Sequence, residues 1–82
     1  MTLAMSWDEW AAHDGVGLAG RVRRGELTPA ELARQAAAAI ARTNPALSAV
    51  VEVFDDVVAD PLRDGLDAQG PLAGVPFLMK DL

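Results

Sequence analysis

Leu72-Ala73-Gly74-Val75-Pro76-Phe77-Leu78-Met79-Lys80-Asp81-Leu82 closes the 82-residue chain, and its reading decides the rest. Gln69-Gly70-Pro71 just ahead of it is a turn signal. Past Gly74 the side chains stay apolar as far as Lys80, which predicts a turn into a buried strand over about 76–81. Pro76 fits the first position of such a strand, where a missing amide is tolerated. Upstream, Ala49-Val50-Val51-Glu52-Val53-Phe54 is short and β-branched and predicts another strand over about 48–54. The connection between the two is too long for a hairpin, which points to a βαβ-type piece of a larger sheet. The expected class is α/β.

Helices are expected ahead of these strands. Thr28-Pro29-Ala30-Glu31 combines an N-cap, a proline at the first helical position and the Glu of a capping box. Leu32, Ala36, Ala39, Ile40 and Thr43 follow on one face at helical spacing, with Glu31, Arg34, Gln35 and Arg42 at polar positions elsewhere. This helix is predicted over about 28–43, ended by Asn44-Pro45. An earlier helix is predicted over about 6–24, with Ser6-Trp7-Asp8-Glu9 as its capping box and Gly25 as a left-handed C-cap. Gly15, Gly17 and Gly20 each weaken it by about 1 kcal/mol relative to Ala, so a break near Asp14-Gly15 is expected. Asp55-Asp56 begins a third helical stretch carrying Val57, Val58 and Leu62 and extending toward Leu66, in which Pro61 fits only the first turn.

Apolar residues make up 51% of the chain, a globular composition, but 16 of them are alanine and only four are aromatic: Trp7, Trp10, Phe54 and Phe77. A core built from these alone is thin. With no cysteine there is no disulfide to compensate, and with one histidine there is no zinc staple of the usual Cys/His type. The smooth alanine helix and the partnerless Phe77-Leu78-Met79 stretch predict an N-terminal fragment of a longer polypeptide. Seven Lys+Arg against 12 Asp+Glu give a net charge of −5, which argues against nucleic-acid binding by phosphate neutralisation. Arg21, Arg23 and Arg24 read as a solvated helix end that complements the dipole. No apolar run approaches the roughly 20 residues of a membrane span, and the N-terminus lacks the basic and apolar regions of a secretory signal. A cytoplasmic location without membrane attachment is the expectation.

Few residues qualify for chemistry. His13, without a nearby Cys, Ser or second His, reads as a boundary histidine. Gly15-Val16-Gly17-Leu18-Ala19-Gly20 matches G-x-G-x-x-G literally, yet it follows no strand, so a dinucleotide site fails on context. Asp55 and Asp56 read as a helix start. Lys80 stands apart as the only lysine among seven basic residues, at the end of an apolar stretch. Desolvation there disfavours its charge and leaves a neutral amine fit to act as base or nucleophile. An exposed lysine that ends a strand and discourages edge pairing explains the same placement equally well. Asp81 follows directly, but strand neighbours point to opposite faces, so it is not assumed to be the ion-pair partner of Lys80.

Three stretches, in order along the chain, carry a resemblance. Gly70-Pro71-Leu72-Ala73-Gly74-Val75-Pro76-Phe77-Leu78-Met79-Lys80-Asp81 resembles the catalytic-lysine segment of the amidase signature family, whose pattern is roughly G-P-L-x-G-V/I-P-x-x-x-K-D. Arg24-Gly25-Glu26-Leu27-Thr28-Pro29-Ala30-Glu31-Leu32 is similar to that family's helix junction, whose pattern from the glycine onward is G-E-x-S/T-x-x-E-L. Asn44-Pro45-Ala46-Leu47-Ser48-Ala49-Val50 resembles its N-P-x-I/L-N-A-V/F stretch. Within the family, the Phe77-Leu78 and Asp81-Leu82 flanks look most like the amidases of the 6-aminohexanoate-cyclic-dimer hydrolase type.

The resemblance implies a single amidase domain of α/β/α architecture with a mixed central sheet, of which residues 1–82 are the N-terminal part. It implies hydrolysis of a linear or cyclic amide by a Ser–cis-Ser–Lys triad, with Lys80 as the base. The middle serine relays the proton, and the other serine attacks the carbonyl to form an acyl-enzyme. Both catalytic serines lie downstream in the family. Ser6 reads instead as an N-cap and Ser48 as the start of a strand, so the 82-residue chain alone is predicted inactive. The implied partners are the remainder of the amidase polypeptide, a small-molecule amide and, as in many relatives, a second copy in a homodimer. No cofactor or metal is called for. Two alternatives remain: the A subunit of a tRNA-dependent amidotransferase, and a free-standing helical interaction module.

Overall fold

The computed structural model describes residues 3–62, 65 and 69–80. Its elements are four helices in the order α1 (Trp7–Ala11), α2 (Gly15–Arg23), α3 (Pro29–Leu47) and α4 (Asp55–Ala59). There is no strand among the described residues, which overturns the α/β class and the expected first strands of a central sheet. A strand exists only through its ladder partner. In the 48–54 stretch, the N–H of Val50 donates to Asn44 Oδ1 (2.9 Å) and Asn44 Nδ2 donates to the Val50 carbonyl (2.8 Å). The helix side chain thus takes both backbone groups that a ladder would have used. Residues 75–80 run free of helix and strand alike, and Asp81 lies outside the described residues.

The expected N-terminal helix is two helices, parted at the Asp14-Gly15 step. Ser6 caps α1, its side chain accepting from the Glu9 amide (3.1 Å). The Glu9 carboxylate turns to Arg21 rather than back to the cap. Asp14 then opens α2 by accepting from the Gly17 amide (2.7 Å). The end of α2 is a Schellman motif around Gly25 (φ +76°). There the Glu26 amide reaches back to the Arg21 carbonyl (2.9 Å) and the Gly25 amide to the Val22 carbonyl (3.0 Å).

The start of α3 is the capping box expected from sequence: Thr28 Oγ1 accepts from the Glu31 amide (3.1 Å), and Glu31 accepts from the Thr28 amide (2.9 Å). Its end lies further on than expected, because Pro45 is accommodated inside the last turn. Pro45 has no amide to offer Ala41, but that residue is exposed and water can serve its carbonyl. The helix closes at Ser48, in the left-handed conformation (φ 50°) with its amide on the Asn44 carbonyl (2.7 Å). Ser48 is therefore a helix cap and not the start of a strand. The third helical stretch, α4, packs against α3 and stops before Asp60-Pro61, as the clash of proline with a preceding helical residue requires. Leu62 lies beyond it, and Leu66 lies outside the described residues.

The core sits where α2, α3 and the Met5 and Leu27 approaches converge. Met5, Leu18, Leu27 and Leu32 form it, with Trp10, Val22 and Val75 packed around them. It is as thin as the alanine content suggests. The accessible surface is 5931 Å², against about 4,700 Å² for a compact monomer of this mass. Much of the excess is apolar side chain on the second half of the chain: Leu47, Val51, Phe54, Leu62, Leu72, Phe77, Leu78 and Met79 are all exposed.

Candidate functional site

The segment that carries Lys80 is held at its root and free at its tip. Residues 70–75 fold into a double turn, with the Ala73 amide on the Gly70 carbonyl (3.2 Å) and the Val75 amide on the Leu72 carbonyl (3.1 Å). Ala73 is buried, and Val75 packs on the core. Gly74 is in the left-handed region (φ +84°), where only glycine rests without strain. A Cβ there would also lie 3.0 Å from Pro29 Cγ and 3.4 Å from both Val22 methyls. On the other side of the turn, a Cβ on Gly15 would lie 3.3 Å from Leu72 Cδ2. The turn therefore seats against the first residue of α2 and the first residue of α3 through two glycines.

Beyond Val75 the chain leaves the core. Phe77, Leu78 and Met79 are 85%, 68% and 77% exposed. Lys80 is exposed too, and it makes no hydrogen bond or ion pair among the described residues. The burial from which sequence reasoning argued for a neutral amine is not supplied by the helices of this chain.

Neither serine is brought to it. Ser6 is occupied as the cap of α1, and Ser48 ends α3. His13 is half-buried, and its Nδ1–H donates to the Glu9 carbonyl (2.7 Å), a local tie that agrees with a boundary residue. The literal G-x-G-x-x-G stretch is the body of α2, with Leu18 and Ala19 buried in it. Asp55 and Asp56 occupy the first turn of α4.

Two of the three arginines are more engaged than a solvated helix end. Arg21 bridges Glu9 (3.0 Å) and Glu26 (3.1 Å), and Arg24 meets Glu26 at 2.6 Å. The hydrogen bond from Arg24 holds the Glu26 carboxyl below its ordinary value; partial burial opposes this and Arg21 reinforces it. The Glu9 hydrogen bond raises Arg21 above the usual arginine value, against desolvation and with further help from Glu26. Arg23 stays exposed.

Sequence reasoning missed two features. Gln35 is fully buried and takes both backbone groups of Met5. Its position three residues after Leu32 places it on the buried face, a signal overridden by its polarity. Trp7, Trp10, Ala11, Ala39, Arg42 and Thr43 line an open groove of about 340 Å³, with the Arg42 guanidinium 4.9 Å above the Trp7 ring. No helix among the described residues is long and apolar enough to cross a membrane.

No protein-family profile matches the chain, and no solved structure matches it. Two curated proteins do: the 6-aminohexanoate-cyclic-dimer hydrolases of Pseudomonas sp. (strain NK87) and of Paenarthrobacter ureafaciens, each 37% identical over 76 residues. The alignment takes in 92% of this chain and 14% of each relative, so the chain spans about one-seventh of the length of the proteins it matches. The similarity supports an amidase-like relationship, to hydrolases.

Proposed function

We propose that this chain is the N-terminal part of an amidase domain that hydrolyses a linear or cyclic amide, with Lys80 as the base of a Ser–cis-Ser–Lys triad. The observation that carries the reading is 37% identity across 92% of the chain to two hydrolases named for a cyclic amide. The ordered resemblance that ends in Gly74-Val75-Pro76 and Lys80 adds to it.

The exposed tip of the segment supports the same reading. Three consecutive large apolar side chains just before the only lysine are costly to leave in water, at about 25 cal/mol for each Å² exposed. Covering them with the remainder of an amidase polypeptide would desolvate Lys80 and favour its neutral form. A neutral lysine takes a proton through the middle serine, the second serine attacks the amide carbonyl, and water hydrolyses the acyl-enzyme. Neither Ser6 nor Ser48 fits these roles, so the 82 residues alone hydrolyse nothing.

The test is Lys80→Ala in the polypeptide that carries this chain together with the rest of the amidase, assayed on one linear and one cyclic amide. Loss of turnover on both is expected, by at least the roughly 10²–10⁴-fold that a general base contributes. Turnover at the wild-type rate would refute the assignment.

A further inference from the structure

We infer that Gly74 and Gly15 are positioning residues for Lys80: together they seat the 70–75 turn in the junction of α2 and α3 and so set where the lysine is delivered. This rests on the proposed role of Lys80 and extends it to residues that touch no substrate.

Three observations carry it. Gly74 combines a left-handed backbone (φ +84°), which strains any other residue, with a Cβ position only 3.0 Å from Pro29 Cγ, so a side chain there would also push Pro29 back by a few tenths of an ångström. Gly25 and Gly65 share the positive φ, but a Cβ at either would meet nothing within 4 Å among the described residues. At Gly74 the close approach is therefore a property of the seat and not of turns in general. On the other side, a Cβ added at Gly15 would lie 3.3 Å from Leu72 Cδ2 and 3.8 Å from Val75 Cγ1, so the start of α2 borders the turn closely. Finally, Ala73 between them is buried, and Val75 is half-buried and packed against the core cluster. The turn is clasped from both sides immediately before the chain runs out toward Lys80.

The lever is long. Five residues beyond Val75, at about 3.3 Å each, place Lys80 up to about 17 Å from the clasp. A rotation of about 10° at the clasp then swings it by about 3 Å at that rise per residue. A catalytic group misplaced by about 1 Å loses on the order of 100-fold in rate. This also gives the first glycine of the literal G-x-G-x-x-G stretch a role: Gly15 admits the turn rather than a phosphate.

The experiment uses the complete amidase polypeptide with Gly74→Ala, Gly15→Val, Gly25→Ala and Lys80→Ala. The expected result is a kcat reduced at least 10-fold in Gly74→Ala and Gly15→Val, with KM changed less than 3-fold. The acid limb of kcat/KM against pH should move in both, because a displaced Lys80 meets different neighbours. Gly25→Ala strains a left-handed glycine outside the clasp; it should lower Tm and leave the pH profile in place. If Gly74→Ala does not fold, Gly15→Val alone decides, since it adds bulk at a residue in ordinary helical geometry. Wild-type pH profiles in the glycine variants, with Lys80→Ala inactive, would overturn the positioning role alone. An active Lys80→Ala would overturn the lysine assignment and this inference with it.

Discussion

The Gln35 side chain and the Met5 backbone form a closed pair: the Met5 amide donates to Oε1 (3.3 Å), and Nε2 donates to the Met5 carbonyl (3.2 Å). Met5 is thirty residues away in sequence, and both partners are buried. Asn44 repeats the device near the other end of α3, closing both backbone groups of Val50. The alanine-rich helix buries little area itself, and it holds the segments on either side of it through two amide side chains that imitate a backbone.

Gln35→Ala should leave the Met5 amide and carbonyl buried without partners. Each unsatisfied group costs about 1–3 kcal/mol. Gln35→Glu should be at least as damaging, because a carboxylate cannot donate to the Met5 carbonyl and its charge would be buried. Hydrogen exchange at the Met5 amide reports this directly: protection should fall in both variants, and unchanged protection would contradict the pairing.

Thr28→Ala removes one half of the only reciprocal capping box among the described helices. The expected loss is about 1 kcal/mol, and Thr28→Ser should restore most of it. Denaturant unfolding of the three proteins provides the comparison. Equal stability of Thr28→Ala and the parent would mean that the box seen at 2.9 and 3.1 Å contributes nothing.

Acid should loosen the α2 terminus through Glu26. Its carboxyl is lowered from 4.5, first by the Arg24 hydrogen bond. A lowered folded-state value means that this contribution is complete above pH 4.5 and is lost as pH falls through the folded value. Arg21 is shifted upward, so its contribution is complete below the ordinary arginine value and is lost only in strong alkali. Glu26→Gln should therefore flatten the acid side of a stability–pH curve and leave the neutral side level. Because these groups are partly exposed, added salt should shrink the difference. An acid limb identical in the two proteins would argue against Glu26 as its source.

What was legible in the sequence was local. The caps at Ser6 and Thr28, the break at Asp14-Gly15 and the left-handed Gly25 each depend on residues within one turn of each other. The α/β reading failed because a strand is a relation between distant segments. Val50, Val51 and Val53 have the right shape, but no second segment among the described residues pairs with them, and Asn44 occupies Val50 instead. The end of α3 was misread for the opposite reason: Pro45 is a strong local stop, overridden in a last turn where the residue that loses its amide partner, Ala41, is exposed. Gln35 was invisible because its partner lies thirty residues away. At the candidate site, Lys80 stood out by type and position, whereas the left-handed Gly74 and the packing of the turn against Pro29 and Gly15 needed coordinates.

Lys80→Arg separates a base from a mere cation. The chain otherwise uses arginine at every basic position, six times, so a lysine at position 80 is a departure from its own habit. A guanidinium stays protonated under all conditions a protein tolerates, whereas an ammonium loses its proton when desolvated. If Lys80 serves as an ion-pair partner or breaks up an exposed edge, arginine should replace it with little effect on turnover. If it accepts a proton, Lys80→Arg should fall as far as Lys80→Ala, by roughly 10²–10⁴-fold in kcat. Steady-state kinetics of the complete polypeptide, with both variants checked for retained fold by circular dichroism, make the distinction. Arginine at position 80 with turnover within a few-fold of the parent would remove proton transfer from the role of this residue.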